Sequence, residues 1–178
     1  MGIFKKARIF LDYAGGERNP SAIHKEGRLA KKALEEARLR LSRLLMCQAK
    51  DIVFTSGGTE ADNLAILGVV EKSKEKIRSP HIIISEREHP AIIESAREAE
   101  RRGAELSIVS TDKIISSIRE NTVLISVAYA ESETGSVNPV PKLARLVRDL
   151  RGKRGSEYPY IHTDASQAYE FLPVDIGR

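Results

Sequence analysis

The 178-residue chain contains no tryptophan, and aromatic side chains make up only 5% of it. A hydrophobic core must therefore be built from Leu, Ile, Val and Ala, the bulk of the 41% of residues that are apolar. Cysteine occurs once, at Cys47, which excludes an internal disulfide and fits a reducing cytoplasm. Cys47 follows Leu44, Leu45 and Met46 at the end of an apolar stripe, where a lone Cys reads as a small buried hydrophobe, with a reactive thiol as the alternative. No apolar run approaches the ~20 residues that span a bilayer, and the basic first residues lead to a short strand-like run and Asp12, not to an apolar signal core. A strong charge of one sign is also missing. The net charge is +4, but Lys and Arg are interleaved with Glu, as at Glu35, Glu36, Arg38 and Arg40, which reads as solvated helix faces and not as a nucleic-acid stripe. His24, His81, His89 and His162 have no metal-ligand spacing, and there is no G-x-S-x-G elbow of a serine hydrolase. The expectation is a cytoplasmic domain with no metal, no nucleic acid and no membrane partner.

What is present is an alternation of two hydrophobic periods. Ile9–Leu11, Ile52–Phe54, Ile82–Ile84, Leu106–Val109, Val123–Val127 and Tyr160–Ile161 are short apolar runs without polar alternation, as in buried parallel strands. Between them, apolar residues recur at helical spacing over 23–45, 59–74, 90–102 and from Val140 to Val147. Pro90 sits where a helix begins, and Thr111 is expected to cap a short helix over 112–119. Arg151–Tyr158 reads as an exposed turn. Strand and helix alternating with short connections predict an α/β fold, a three-layer, mostly parallel sheet flanked by helices. With no low-complexity linker and no repeat, residues 1–178 are expected to form one domain.

Ligands of such sheets bind at the carboxyl ends of the strands, and the residues there are the unusual ones. Thr55-Ser56-Gly57-Gly58-Thr59-Glu60 runs straight into a helix: two glycines permit close backbone approach, the first helical N–H groups point outwards, and the hydroxyls of Ser56 and Thr59 add donors. That suits a phosphate, although a plain glycine turn capped by Thr59 has the same sequence. His89 stands between a strand and the helix beginning at Pro90, where its ring could stack on an aromatic cofactor or carry a proton, or else cap the helix. Ala130-Glu131-Ser132-Glu133-Thr134-Gly135 suggests a tight turn facing the ligand. Asp164, behind the last strand, calls for a cationic partner or a set of donors. A protonated ring nitrogen would serve, and capping the next turn is the other possibility.

Taken together, Leu11–Ala14, Asn19–His24, Thr55–Ala65, Glu88–Ala91 and His162–Ala168 resemble, in order and across nearly the whole chain, the class V aminotransferases, and among them the cysteine desulfurases of the NifS/IscS type. The resemblance implies the large domain of a fold-type I pyridoxal 5′-phosphate (PLP) enzyme. In it Gly58 and Thr59 hold the phosphate, and His89 stacks on the ring and helps move protons. Asp164 pairs with the ring nitrogen, Gln167 meets the phenolic oxygen, and Ser132 stands where the family has an Asn facing the cofactor. The implied reaction takes sulfur from L-cysteine, leaving alanine and a persulfide for iron–sulfur cluster assembly or tRNA thiolation. The implied partners are a second copy of the chain or a complementing C-terminal half, and a sulfur-acceptor protein. The family's Schiff-base lysine, in a Ser-x-His-Lys segment, and its persulfide-carrying cysteine both fall beyond the Asp164 segment and outside these residues, so Cys47 is not given that role. Ala14–Arg18 replaces a longer family segment near the substrate entrance. Without the lysine, catalysis by this chain alone is not expected. A non-catalytic scaffold, a selenocysteine lyase or another aminotransferase-type enzyme are the alternatives.

Overall fold

The computed structural model describes residues 19–131 and 133–174. The expected strand at Ile9–Leu11 and the Ala14–Arg18 segment lie outside them. The chain divides into two compact units, Met1–Val53 with Asp175–Arg178, and Phe54–Val174.

The described part of the first unit is one long helix, α1 (Lys25–Leu44), followed by a 3₁₀ turn at Ala49–Asp51. His24 caps α1, its Nδ1 accepting from the Gly27 amide at 3.2 Å. Only glycine fits at position 27, because a Cβ there would lie 2.2 Å from the Ala22 carbonyl oxygen. Ile52–Phe54 forms no strand. Three apolar residues hold extended pairing only beside a neighbour that takes their hydrogen bonds, and no described strand pairs with them. Val53 is 71% exposed instead.

The second unit carries the sheet. Its elements are α2 (Gly58–Ser73), β1 (His81–Ser85), α3 (Pro90–Arg101), β2 (Glu105–Val109), β3 (Thr122–Ser126), α4 (Val140–Arg154) and β4 (Tyr160–His162). The strand order is β2-β1-β3-β4 and every pairing is parallel. β1 and β3 are buried along their whole length, which explains their unbroken apolar runs. On one face Ile82, Ile84 and Leu124 pack with Ile66 and Val70 of α2 and with Ile92, Ala96 and Ala99 of α3. On the other, Ile83, Ile125 and Val127 pack with Val140, Leu143 and Val147 of α4. The three layers expected from the sequence are therefore present.

Two local expectations change. The short helix over 112–119 is a pair of 3₁₀ turns, Thr111–Lys113 and Ile115–Ser117. Thr111 is part of the first turn, not its cap, and its hydroxyl donates to Asn138 Oδ1 at 3.1 Å. The stretch taken for a turn at Arg151–Tyr158 is helical to Arg154. α4 stops where Gly155 adopts a left-handed φ of 58°, with Arg151, Lys153 and Arg154 in its last turn facing the negative end of the helix dipole.

β1 leads to β2 on one side, and the chain then returns to place β3 on the other. The carboxyl ends of β1 and β3 thus flank a switch point, the place where parallel sheets open a crevice.

Candidate functional site

A cavity of ≈ 780 Å³ occupies that crevice. Four segments wall it, each arriving from the end of an element: the start of α2 as far as Asp62, Glu86–Pro90 after β1, Ala128, Ala130, Glu131, Glu133 and Thr134 after β3, and Asp164, Ser166 and Gln167 after β4.

The α2 wall is a helix N-terminus. The first helical hydrogen bond runs from the Ala61 amide to the Gly57 carbonyl, so the N–H groups of Gly58, Thr59 and Glu60 have no acceptor within the helix. A Cβ at Gly57 would meet nothing within 4 Å, and one at Gly58 would meet only Ser166 Oγ at 3.8 Å. The protein's own packing does not require these glycines, and the space above them is open. Thr59 does not cap the helix; Gly57 holds that position. The Ser56 hydroxyl and amide both donate to Glu60 Oε2, at 2.6 and 2.7 Å. Ser56 thus fastens the turn, and these bonds hold the Glu60 carboxyl below its ordinary range.

His89 holds the capping role and also stands at the cavity. It lines the cavity, and it caps α3, its Nδ1 accepting from the Ala91 amide at 3.2 Å. Asp164 does likewise: Oδ1 accepts from the Ser166 amide at 2.8 Å, fixing the turn after β4, and the residue lines the cavity. Its carbonyl accepts from the Tyr129 amide at 2.9 Å, tying this turn to the end of β3. At the mouth, Glu131 pairs with Arg87 at 3.2 Å and accepts from the Thr134 hydroxyl at 2.7 Å. The Thr134 bond first, and Arg87 second, lower the Glu131 pKa. Arg87 is the only Lys or Arg lining the cavity among the described residues.

A chain of polar side chains runs inward from the cavity wall, where Glu88 and Asp62 are lining residues. Ser126, at the end of β3 and fully buried, is 3.2 Å from Glu88 Oε1 and 3.0 Å from His162 Nδ1. His162 Nε2 is 3.6 Å from Asp62 Oδ1. Burial pushes Glu88 up to about 7. The Ser126 and Ser85 hydroxyls and the Ala128 amide oppose that shift, and the charge of Asp164 adds to it. Glu88 Oε2 and Ser85 Oγ, both buried, nonetheless complete no hydrogen bond. Burial, then Asp164, raises Asp62 while His89 opposes. Burial lowers His162, with Asp164 acting the other way.

Of the residues singled out from the sequence, Gly58, Thr59, His89, Asp164 and Gln167 all line this cavity. Ser132 lies outside the described residues, although its neighbours Glu131 and Glu133 are in the wall. Cys47 is a half-buried free thiol of the first unit. The residues that sequence reasoning passed over are Asp62, Glu88, Ser126 and His162. One signal was available: Asp62 shares a helical face with Ile66 and Val70, and an acid on an apolar stripe needs a partner.

The family model described as aminotransferase class-V matches residues 6–178. A cysteine desulfurase IscS of Dictyoglomus turgidum is 35% identical over 99% of this chain and 44% of its own length. The corresponding protein of Methanosarcina thermophila is 34% identical over 90% and 39%. Among solved structures, SspA in complex with cysteine superposes with a TM-score of 0.77 at 30% identity, covering 89% of this chain and 45% of that one. DndA from Streptomyces lividans superposes with a TM-score of 0.74 at 31% identity, with coverages of 89% and 44%. The chain spans less than half the length of the relatives it matches.

Proposed function

The chain belongs to the aminotransferase class-V family, and from that membership we propose that its cavity holds PLP and contributes to a cysteine desulfurase acting on L-cysteine. Five residues whose types suit the parts of this cofactor share one cavity at the switch point of the sheet, and this observation carries the reading. The residues fit the group. Open glycines and amides with no acceptor within the helix at the start of α2 suit a phosphate dianion. A carboxylate at Asp164, with one oxygen fixed by the Ser166 amide, suits a protonated ring nitrogen. Bound there, the protonated ring supplies an electron sink.

In this reading Gly58 and Thr59 hold the phosphate through backbone N–H groups and the Thr59 hydroxyl. Asp164 orients the ring, Gln167 donates to its phenolic oxygen, and His89 stacks on it and carries a proton on Nε2, Nδ1 being engaged by Ala91. The relatives named as IscS and the cysteine-bound SspA support L-cysteine as the substrate. The persulfide goes to a sulfur acceptor serving iron–sulfur cluster assembly or tRNA thiolation. No lysine lines the cavity among the described residues. By the family resemblance, the reactive amine and the persulfide-carrying cysteine belong to a segment that follows the Asp164 motif, supplied by a continuation, a complementing half or a second subunit.

Expressing this chain with a polypeptide that carries a Ser-x-His-Lys segment, and supplying PLP and L-cysteine, tests the proposal. Alanine and sulfide are expected from the pair and from neither piece alone. A soluble, assembled pair that gives no product would favour a non-catalytic scaffold. With the chain alone, borohydride should fix the cofactor at no single lysine, and stoichiometric trapping at one lysine of this chain would refute the assignment of the amine.

A further inference from the structure

We propose that Glu88, Ser126, His162 and Asp62 form a proton relay at the cavity wall, in which one proton is shared between the two end carboxylates. The arrangement rests on the Ser126 hydroxyl, which is 3.2 Å from Glu88 Oε1 and 3.0 Å from His162 Nδ1. A hydroxyl has one hydrogen and cannot donate to both.

If Ser126 donates to His162 Nδ1, Glu88 must carry a proton and donate to Ser126 Oγ. The imidazole hydrogen is then on Nε2, directed at an ionised Asp62. If Ser126 instead donates to Glu88, His162 holds its hydrogen on Nδ1, and Nε2 is an acceptor facing a protonated Asp62. The two arrangements interconvert when the Glu88 O–H proton moves to Ser126 Oγ, the Ser126 proton moves to Nδ1, and the Nε2 proton moves to Asp62. Three bonds to hydrogen break and three form, and the net charge is unchanged. The step to Asp62, 3.6 Å in the structure, exceeds hydrogen-bond length and closes on a small rotation of either side chain.

A third arrangement has the same number of protons: both carboxylates ionised around an imidazolium. It places charges on Glu88 and Asp62, 6% and 5% exposed, and on His162, whose side chain is 15% exposed, and such burial disfavours it. The directions in which burial moves the three titrating groups, both acids up and the histidine down, agree with a neutral His162. Glu88 Oε2, which completes no hydrogen bond, is less costly on a neutral carboxyl than on an ion. The other titratable groups facing the relay are Asp164, whose charge drives both end carboxylates toward the protonated form, and His89, which opposes this at Asp62. The result is one negative charge in the floor beside Asp164 in place of two. Where the cofactor reading holds, the relay makes Glu88 and Asp62 positioning residues, which leave Asp164 as the carboxylate presented to the ring nitrogen.

The test uses the 178-residue chain without cofactor, labelled with ¹⁵N-histidine. The long-range ¹H–¹⁵N signals of His162 are assigned by their loss in His162→Gln. Below pH 7 the parent chain should show His162 as a neutral ring averaging two tautomers. Glu88→Gln, which has no acid proton to supply to the chain, should at pH 8 hold His162 in the Nε2–H form facing the Asp62 carboxylate. Asp62→Asn should shift it to the Nδ1–H form at pH 8, where Glu88 is ionised. A doubly protonated His162 between pH 6 and 8, or one unchanged pattern in the parent and both variants, would overturn the proposal. If either end variant does not fold, Ser126→Ala, which severs the middle link, should leave only the Nε2–H form, and a persisting mixture there refutes the relay. A tautomer shift in a chain that binds no PLP would retain the relay and remove the cofactor reading.

Discussion

Replacing Glu88 with Gln should make the protein more stable at pH 8 and leave its stability nearly unchanged at pH 4.5. Burial raises this carboxyl from 4.5 to about 7, so the folded state binds the proton more tightly than the unfolded state does. Below 4.5 both states are protonated and Glu88 imposes no penalty. Between 4.5 and about 7 only the unfolded state ionises readily, and stability falls as pH rises. Above about 7 the full cost of the buried charge is present, on the order of 3 kcal/mol. Gln keeps the shape and a donor for Ser126 and never ionises, so it avoids that cost. For a chain of this size the gain at pH 8 corresponds to roughly 6–12 °C in Tm. Asp62 titrates in the same direction and His162 in the opposite one, and both remain in the variant, so the difference between the two proteins reports the loss of Glu88 together with its coupling to them. Urea unfolding followed by far-UV circular dichroism at pH 4.5, 6 and 8 measures it. A gap that does not change with pH, or a variant less stable at pH 8, would show that Glu88 is not the buried, proton-retaining acid described here.

Asp164→Asn should weaken PLP binding by about 10- to 100-fold, the loss of a charged hydrogen bond, measured by absorbance titration of the cofactor. Gly58→Ala adds a Cβ that meets only Ser166 Oγ at ordinary contact distance, so stability in urea unfolding should hold or rise by at most the ~1 kcal/mol that Ala gains over Gly inside a helix while PLP affinity falls. His81→Leu removes the partner of Thr122 and Ser107, at 2.8 and 2.9 Å, and should cost about 1–3 kcal/mol in urea unfolding at neutral pH. Burial lowers the His81 pKa, so this histidine makes the parent chain less stable as pH falls below 6.5, and the variant should lack that part of the acid slope.

The three-layer arrangement could be read from the sequence because β1 and β3 are buried on both faces and so have unbroken apolar runs. The same rule misled at Ile52–Phe54, where burial did not follow from apolarity: Val53 is largely exposed and no described strand lies beside it. Arg151–Arg154 looked like a turn because Gly and charge dominate it, yet the basic residues suit the end of a helix. In the site, Gly58, Thr59, His89, Asp164 and Gln167 were visible because each follows the end of a strand or opens a helix. Ser126 was not, since nothing in an apolar strand marks which polar residue faces inward to meet Glu88 and His162. Those contacts join residues 36 and 38 positions apart, and only the parallel register of the sheet brings them together.

The histidine at the cavity wall is also the first brace of the helix behind it. While Nδ1 receives the Ala91 amide, the ring's hydrogen is confined to its far nitrogen. A reaction that delivers a second proton must place it on Nδ1 and dislodge that amide. Where the cofactor reading holds and His89 takes up a second proton, the opening turn of α3 would lose its side-chain cap.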